Sequence, residues 1–177
     1  MLEMIIYNFF NNFSGVKDMT MSWRTLQFIY EMDRMCTLPK LHDLTRLRAT
    51  VCLNAPPELL PLLLESCPNL KHFTLELFID YPVASITGHS TVRLPRSLVS
   101  SLESVEIESP VTKEATELYL ARCFMKNLPT LKKLVLRLNE SNGAKHEPCV
   151  LEQLVKDSRR YGLSQFKVFP TSNPLPK

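Results

Sequence analysis

The side chains of this sequence that could do chemistry are few and scattered. Three carboxylates, Glu103, Glu106 and Glu108, fall in the alternation Glu103-Ser-Val105-Glu106-Ile107-Glu108. General acid–base work needs an acid and a base on one surface, with one of them enclosed enough for its pKa to move. Along an extended strand Glu106 and Glu108 share one side and Val105 and Ile107 the other. An open strand face encloses neither carboxylate, so the alternation predicts a solvated pair. His42, His72, His89 and His146 each stand alone, with no second ligand or nucleophile on a shared helix face. Ser14-Gly15 and Ser100-Ser101 lack the Gly-x-Ser-x-Gly frame of a nucleophile elbow. The four glycines, Gly15, Gly88, Gly143 and Gly162, are too far apart to cradle a phosphate. The expectation is a protein that is not an enzyme, with no catalytic, cofactor-binding or metal-binding residues and no cofactor.

Five cysteines, Cys36, Cys52, Cys67, Cys123 and Cys149, include no Cys-x-x-Cys pair. That argues against structural zinc and for free thiols in a reducing compartment, cytoplasmic or nuclear. Cys67 and Cys123 lie beside apolar residues, where a free cysteine packs as a small hydrophobe.

Any such side chain has to be positioned by a repeated element. One phrase recurs four times: Leu44-Thr-Arg-Leu47-Arg-Ala49, Leu70-Lys-His-Phe73-Thr-Leu75, Leu102-Glu-Ser-Val105-Glu-Ile107 and Leu131-Lys-Lys-Leu134-Val-Leu136. The starts are 26, 32 and 29 residues apart, and a fainter copy, Val16-Lys-Asp-Met19-Thr-Met21, precedes the first by 28. Leucine-rich repeats have periods of roughly 20 to 29 residues. Alternation gives each unit one apolar face that it cannot cover alone, so units stack, and long crossovers make their strands parallel. The predicted fold is α/β, a leucine-rich-repeat solenoid with parallel strands on the concave face and helices or irregular segments behind.

The spaces between phrases fit this plan. Ser22 is placed to cap a helix through Trp23, Leu26, Ile29 and Met32. Pro57 suits the first turn of a helix carrying Leu59 to Leu64. The stretch Asp80 to Pro95, rich in Ser, Thr and Pro, reads as an insertion loop and a second candidate for binding specificity. Thr112 or a neighbour caps a helix with Glu114 and Glu117 near its positive end, stopped by Leu128-Pro129. Pro148 opens a last helix that ends with Arg159, Arg160 and Gly162, and Phe166, Val168 and Phe169 suggest a final strand.

At 177 residues, 45% hydrophobic and 22% charged, the sequence is that of a folded protein of one body. The net charge of +3 and the scattered basic residues, not interleaved with aromatics, give no nucleic-acid signature. Residues 1–13 are apolar but interrupted by Glu3, Asn8, Asn11 and Asn12. That is neither a signal peptide nor the roughly 20 apolar residues a membrane span needs.

Several phrases are similar to those of a known family. Glu65-Ser-Cys-Pro-Asn-Leu-Lys-His-Phe-Thr-Leu-Glu-Leu77 resembles the repeat wording of plant F-box proteins with leucine-rich repeats. Leu94-Pro-Arg-Ser-Leu to Ile107, Glu117-Leu-Tyr-Leu-Ala-Arg-Cys-Phe to Leu128, and Leu131 to Leu136 resemble the FBD segment that ends many of them. The resemblance covers Val16 to Phe169. It implies a substrate-receptor architecture, in which an F-box docks on a Skp-type adaptor of a cullin ubiquitin ligase and the repeats select a target. An F-box phrase of the Ile-Ser-x-Leu-Pro-Asp type does not occur in these 177 residues. The adaptor and cullin are therefore expected as partners only if an F-box is supplied elsewhere.

These readings divide the chain into a poorly ordered remnant or cap (1–15), repeat units (16–93), an FBD-like domain (94–169) and a loose tail (170–177). The expected function is a non-enzymatic protein-interaction module resembling the recognition part of a ubiquitin-ligase receptor, binding an unknown target protein, no nucleic acid and no membrane. The alternative is a truncated, non-functional remnant of such a receptor. Alternation places Thr20, Arg48, Thr74, Glu76, Glu106, Glu108, Val135 and Arg137 outward as the partner-binding face, acidic in the middle and basic at both ends.

Overall fold

The computed structural model describes residues 2–33, 38–79, 100–112, 115–140 and 145–171. Among the described residues six strands form one sheet: β1 (Asp18–Met21), β2 (Arg46–Cys52), β3 (His72–Phe78), β4 (Ser104–Pro110), β5 (Lys133–Asn139) and β6 (Gln165–Thr171). They lie in sequence order, and every neighbouring pair is parallel. Among the described residues five helices accompany them: α1 (Leu2–Asn11) ahead of β1, α2 (Trp23–Asp33) between β1 and β2, α3 (Leu59–Glu65) between β2 and β3, α4 (Thr116–Asn127) between β4 and β5, and α5 (Pro148–Arg160) between β5 and β6. The architecture is α/β. The expected insertion loop, Asp80 to Pro95, lies outside the described residues, as do Cys36, Glu114 and the tail beyond 171.

The register explains why the phrases recur. Leu47, Phe73, Val105 and Leu134 stand side by side across β2 to β5, and Ala49, Leu75, Ile107 and Leu136 form the next row. All eight are at most 2% exposed. Full burial of a leucine or phenylalanine side chain is worth about 1.5–3 kcal/mol, so these rows pin the register: a slip by one residue would turn every one of them to the open side. Behind them α2 packs on β2 and α3, and α4 packs on β4, β5 and α5. The Phe73 ring meets Phe124 of α4 at 6.2 Å between centroids.

Four of the five phrases open on a residue that closes a turn, and each strand from β1 to β5 begins two residues after its phrase opens. Val16, Leu44, Leu70 and Leu131 each donate their N–H to the carbonyl three residues back, on Phe13, Leu41, Cys67 and Leu128, at 3.1–3.3 Å. Leu44, Leu70, Leu102 and Leu131 are buried under these corners.

Helix ends follow local chemistry. Ser22 Oγ accepts the Thr25 N–H at 3.3 Å, as expected of a cap for α2. Pro148 is the first residue of α5, and Gly162, just past its end, has φ +77°, a left-handed conformation suited to glycine. Pro57 is not in the first turn of α3, which starts at Leu59; Pro61 is the residue inside that turn, where its missing N–H has no helical acceptor to lose. The opening segment is not featureless, since α1 inserts Phe10 into the core at 6% exposure. At the other end Pro170 and Thr171 continue β6 and pair with Leu138 and Asn139. Proline is tolerated there because β6 is an edge strand with one side of its backbone free.

Candidate interaction face

One side of the sheet is covered by helices and the other is open. On the open side the register builds three rows. The first, where the strands begin, is Asp18, Arg46, His72, Ser104, Lys133 and Gln165. The second is Thr20, Arg48, Thr74, Glu106, Val135 and Lys167, and the third is Thr50, Glu76, Glu108, Arg137 and Phe169. All eight residues read from the sequence as outward are thus brought onto one face.

Their charges are not free, because they pair across the strands. Arg48 Nη2 lies 3.2 Å from Glu76 Oε2 and 3.1 Å from Glu108 Oε2, so one guanidinium ties β2 to β3 and to β4. Thr50 Oγ1 adds a long bond to Glu76 Oε2 at 3.5 Å. Arg137 Nε donates to Glu106 Oε1 on β4, and the Arg137 guanidinium sits 5.0 Å over the ring of Phe169 on β6. Partial burial works against the charged form of Arg48, but Glu108 and Glu76 outweigh it and raise its pKa. The hydrogen bond that Arg137 donates to Glu106, and the charge of that carboxylate, raise the pKa of Arg137. The expected gradient, acidic in the middle and basic at both ends, is in fact a neutralising lattice of two arginines and three glutamates. Val135 corrects the sequence reading: it belongs to the open side by register yet is only 3% exposed. Glu106 and Lys167 flank it across the sheet, and Lys133 and Arg137 along its strand. The aliphatic stems of long charged residues cover such a site while their heads stay in water.

Between β1 and β3 the face sinks into a shallow depression of about 260 Å³, bordered by Asp18, Thr20, Arg46, Arg48, His72 and Thr74. Its origin is side-chain length: the short Thr20 and Thr74 flank Arg48, whose head is drawn toward the third row by its glutamates.

A second polar cluster lies away from this face. Glu117, in the first turn of α4, is fully buried. It accepts the Thr112 N–H at 3.2 Å and the Thr112 hydroxyl at 2.7 Å, and its Oε1 is 2.6 Å from His146 Nε2. Thr112 Oγ1 in turn accepts the Thr116 N–H at 3.2 Å. The chain reaches α4 through Ala115 at φ 52°, ψ 37°, a left-handed turn that brings Thr112 back over the helix start. The N-cap position falls on Ala115, whose side chain makes no cap bond, while Thr112 serves the first helical N–H from outside it; the pairing of His146 with Glu117 was hidden by the 29 residues between them. A histidine held by a carboxylate is half of a catalytic arrangement. The hydroxyl present, Thr112, donates to Glu117 instead of facing the imidazole, so the geometry is that of a buried clamp joining the segment after β5 to α4.

Among the described residues no group of His, Cys, Asp and Glu side chains is placed to hold a metal ion, and no helix is long and apolar enough to cross a membrane. Cys52, Cys67, Cys123 and Cys149 are free thiols. Sequence reading overlooked Arg46, His72, Lys133, Lys167 and Phe169 as members of the open face. For Arg46, His72 and Lys133 the signal was available, because each stands two residues from one that was assigned outward; for Lys167 and Phe169 it was not, because no residue of β6 was assigned outward.

Comparison with known proteins places this geometry. The FBD family matches residues 92–136, which include β4, α4 and the first half of β5. The chain is 59% identical over 97% of its length to an F-box/FBD/LRR-repeat protein of Arabidopsis thaliana, and 49% identical over 93% of its length to an FBD-associated F-box protein of the same plant. It spans 36% and 37% of the length of these two relatives. No solved structure matches. By its FBD segment and by identity across nearly all its residues, the chain belongs to the F-box/FBD/LRR-repeat family of plant proteins.

Proposed function

We propose that this chain is a non-enzymatic protein-interaction module, a leucine-rich-repeat solenoid whose open sheet face binds a target protein, resembling the recognition part of an SCF-type ubiquitin-ligase receptor. The observation that carries the reading is the sheet itself: parallel strands in sequence order, helices on one side, and an uncovered side whose charged residues are held in register by ion pairs. The repeated turn before four of the strands supports the solenoid, since it returns the chain to the sheet in the same way in successive units. A preorganised surface of this kind loses little side-chain freedom on binding.

On this reading β4 to β6 with α4 and α5, residues 94–169, form the FBD-type unit, and residues 16–93 the repeats before it. Association with a Skp-type adaptor and a cullin is proposed only where an F-box is present to make it, and the free thiols suit a reducing cytoplasmic or nuclear setting. Affinity capture from plant extract, with the adaptor and cullin probed alongside unbiased mass spectrometry, tests the reading. A specific partner retained by the natural chain and by Gln153→Arg on α5, but lost on Glu106→Lys, is the expected result. Equal retention by both variants would remove the open face from the account.

A further inference from the structure

The geometry points to the rim where the strands begin as a docking site for an extended acidic segment of the target protein. This inference deepens the reading above and rests on it. The arginines of the second and third rows are spent on Glu76, Glu106 and Glu108. The rim is different. Carbonyls of Lys17, Thr45, Lys71 and Glu103 each accept N–H groups from the next strand, and Lys132 follows them, so these five residues form one row just outside the first row of the open face. Together the two rows hold Lys17, Lys71, Lys132, Arg46 and Lys133 against the carboxylates of Asp18 and Glu103. Glu103 pairs with Lys132 at 3.2 Å, and Asp18 with Arg46 at 3.7 Å in a bond whose side chains are 71% and 65% exposed. Among the described residues Lys17, Lys71 and Lys133 have no carboxylate partner. For a chain of net charge +3 this is a large local excess.

The spacing suggests what fits. Lys17 and Lys71 immediately precede β1 and β3 and Lys133 opens β5, so the three stand at the starts of alternate strands, about 10 Å apart at the usual strand separation. An extended chain advances about 3.3 Å per residue, so carboxylates at every third position meet successive lysines. The depression beside β1 to β3 lies on the same rim and offers Arg46 and His72 to one more carboxylate, Arg46 being held, among the described residues, only by its long, exposed contact with Asp18. Among the described residues none of these five rim cations has an aromatic ring contact with which to stack a base. A polypeptide is therefore favoured over a nucleic acid.

The test is fluorescence anisotropy with the full chain and a fluorescein-labelled extended peptide carrying glutamate at every third position, against the same peptide with glutamine. The expected result is preferential binding of the glutamate peptide, weakening with salt, and a loss of about tenfold on combining Lys71→Glu with Lys133→Glu. Lys156→Glu combined with Arg159→Glu on α5 makes the same charge change away from the rim and is expected to leave affinity unchanged. Equal affinity for both peptides, no binding, indifference to the rim variants, or tighter binding of oligothymidylate would overturn the inference. A partner captured from extract that survives the rim variants but is lost on Glu106→Lys would overturn it while leaving the open-face reading in place.

Discussion

Arg48, on the second strand, reaches over the third to hold Glu108 on the fourth, its Nη2 3.1 Å from Glu108 Oε2. The bond spans 60 residues of sequence and fastens successive units from the solvent side, where the apolar rows cannot act. Glu76 and Glu108 stand directly opposite each other in the register, so the guanidinium also screens two like charges that would repel. Replacing Arg48 with leucine is expected to cost about 1 kcal/mol, a modest value because all three side chains are partly exposed. Urea titration checks it. The deficit should shrink in high salt and on adding Glu108→Gln; a deficit unchanged by both would mean that the arginine acts through packing alone.

Leu134 is fully buried, in register between Val105 and Phe166. Leu134→Asp puts an unpaired charge there and should exceed 4 kcal/mol, a loss large enough to abolish cooperative unfolding. Glu106→Lys, one strand away on the open side, should keep the fold while giving up its bond to Arg137. Circular dichroism during heating distinguishes them, and native-like melting of Leu134→Asp would refute the assignment of faces.

The Glu117 carboxylate satisfies two donors on Thr112 and meets His146. Glu117→Ala orphans these buried groups and is expected to cost about 2–4 kcal/mol, whereas Glu117→Gln, which keeps an acceptor oxygen, should cost less. Hydrogen exchange should quicken at the start of α4 and around residues 145–147 together. Faster exchange in α4 alone would show that His146 is not part of the clamp.

The strands were legible because one face of each is buried and alternation records it. Leu47 with Ala49 and Leu134 with Leu136 are assigned correctly from spacing alone. What spacing cannot record is who sits beside whom. Lys17, Lys71 and Lys133 read as scattered basic residues, and only the backbone pairing at the strand starts brings them to one rim. Val135 misled for a related reason: its polar-side position is apolar, and its cover comes from neighbours on other strands. A leucine that closes a turn looks, in sequence, like the first of the alternating leucines, yet each strand begins two residues after it.

Burial pushes the Cys67 thiol up to about 12 from an ordinary 9.0, with Lys40 pulling weakly the other way. The folded chain keeps the proton where the unfolded one gives it up. Stability is therefore unaffected by this thiol below about pH 9 and falls as pH rises from there toward 12, by about 1.4 kcal/mol per unit. Iodoacetamide at neutral pH should label exposed Cys149 readily and Cys67 only on unfolding. Labelling of Cys67 at the rate of Cys149 would contradict its burial.

The central claim is that the open sheet face meets a protein partner. It is tested most directly by placing a photo-crosslinking side chain at Thr74, in the middle of that face, and in a second variant at Gln153 on α5, then irradiating each in plant extract. The account predicts a discrete adduct, of one partner identified by mass spectrometry, from position 74 and none from position 153. The same adduct from position 153 alone, or from both equally, would contradict it.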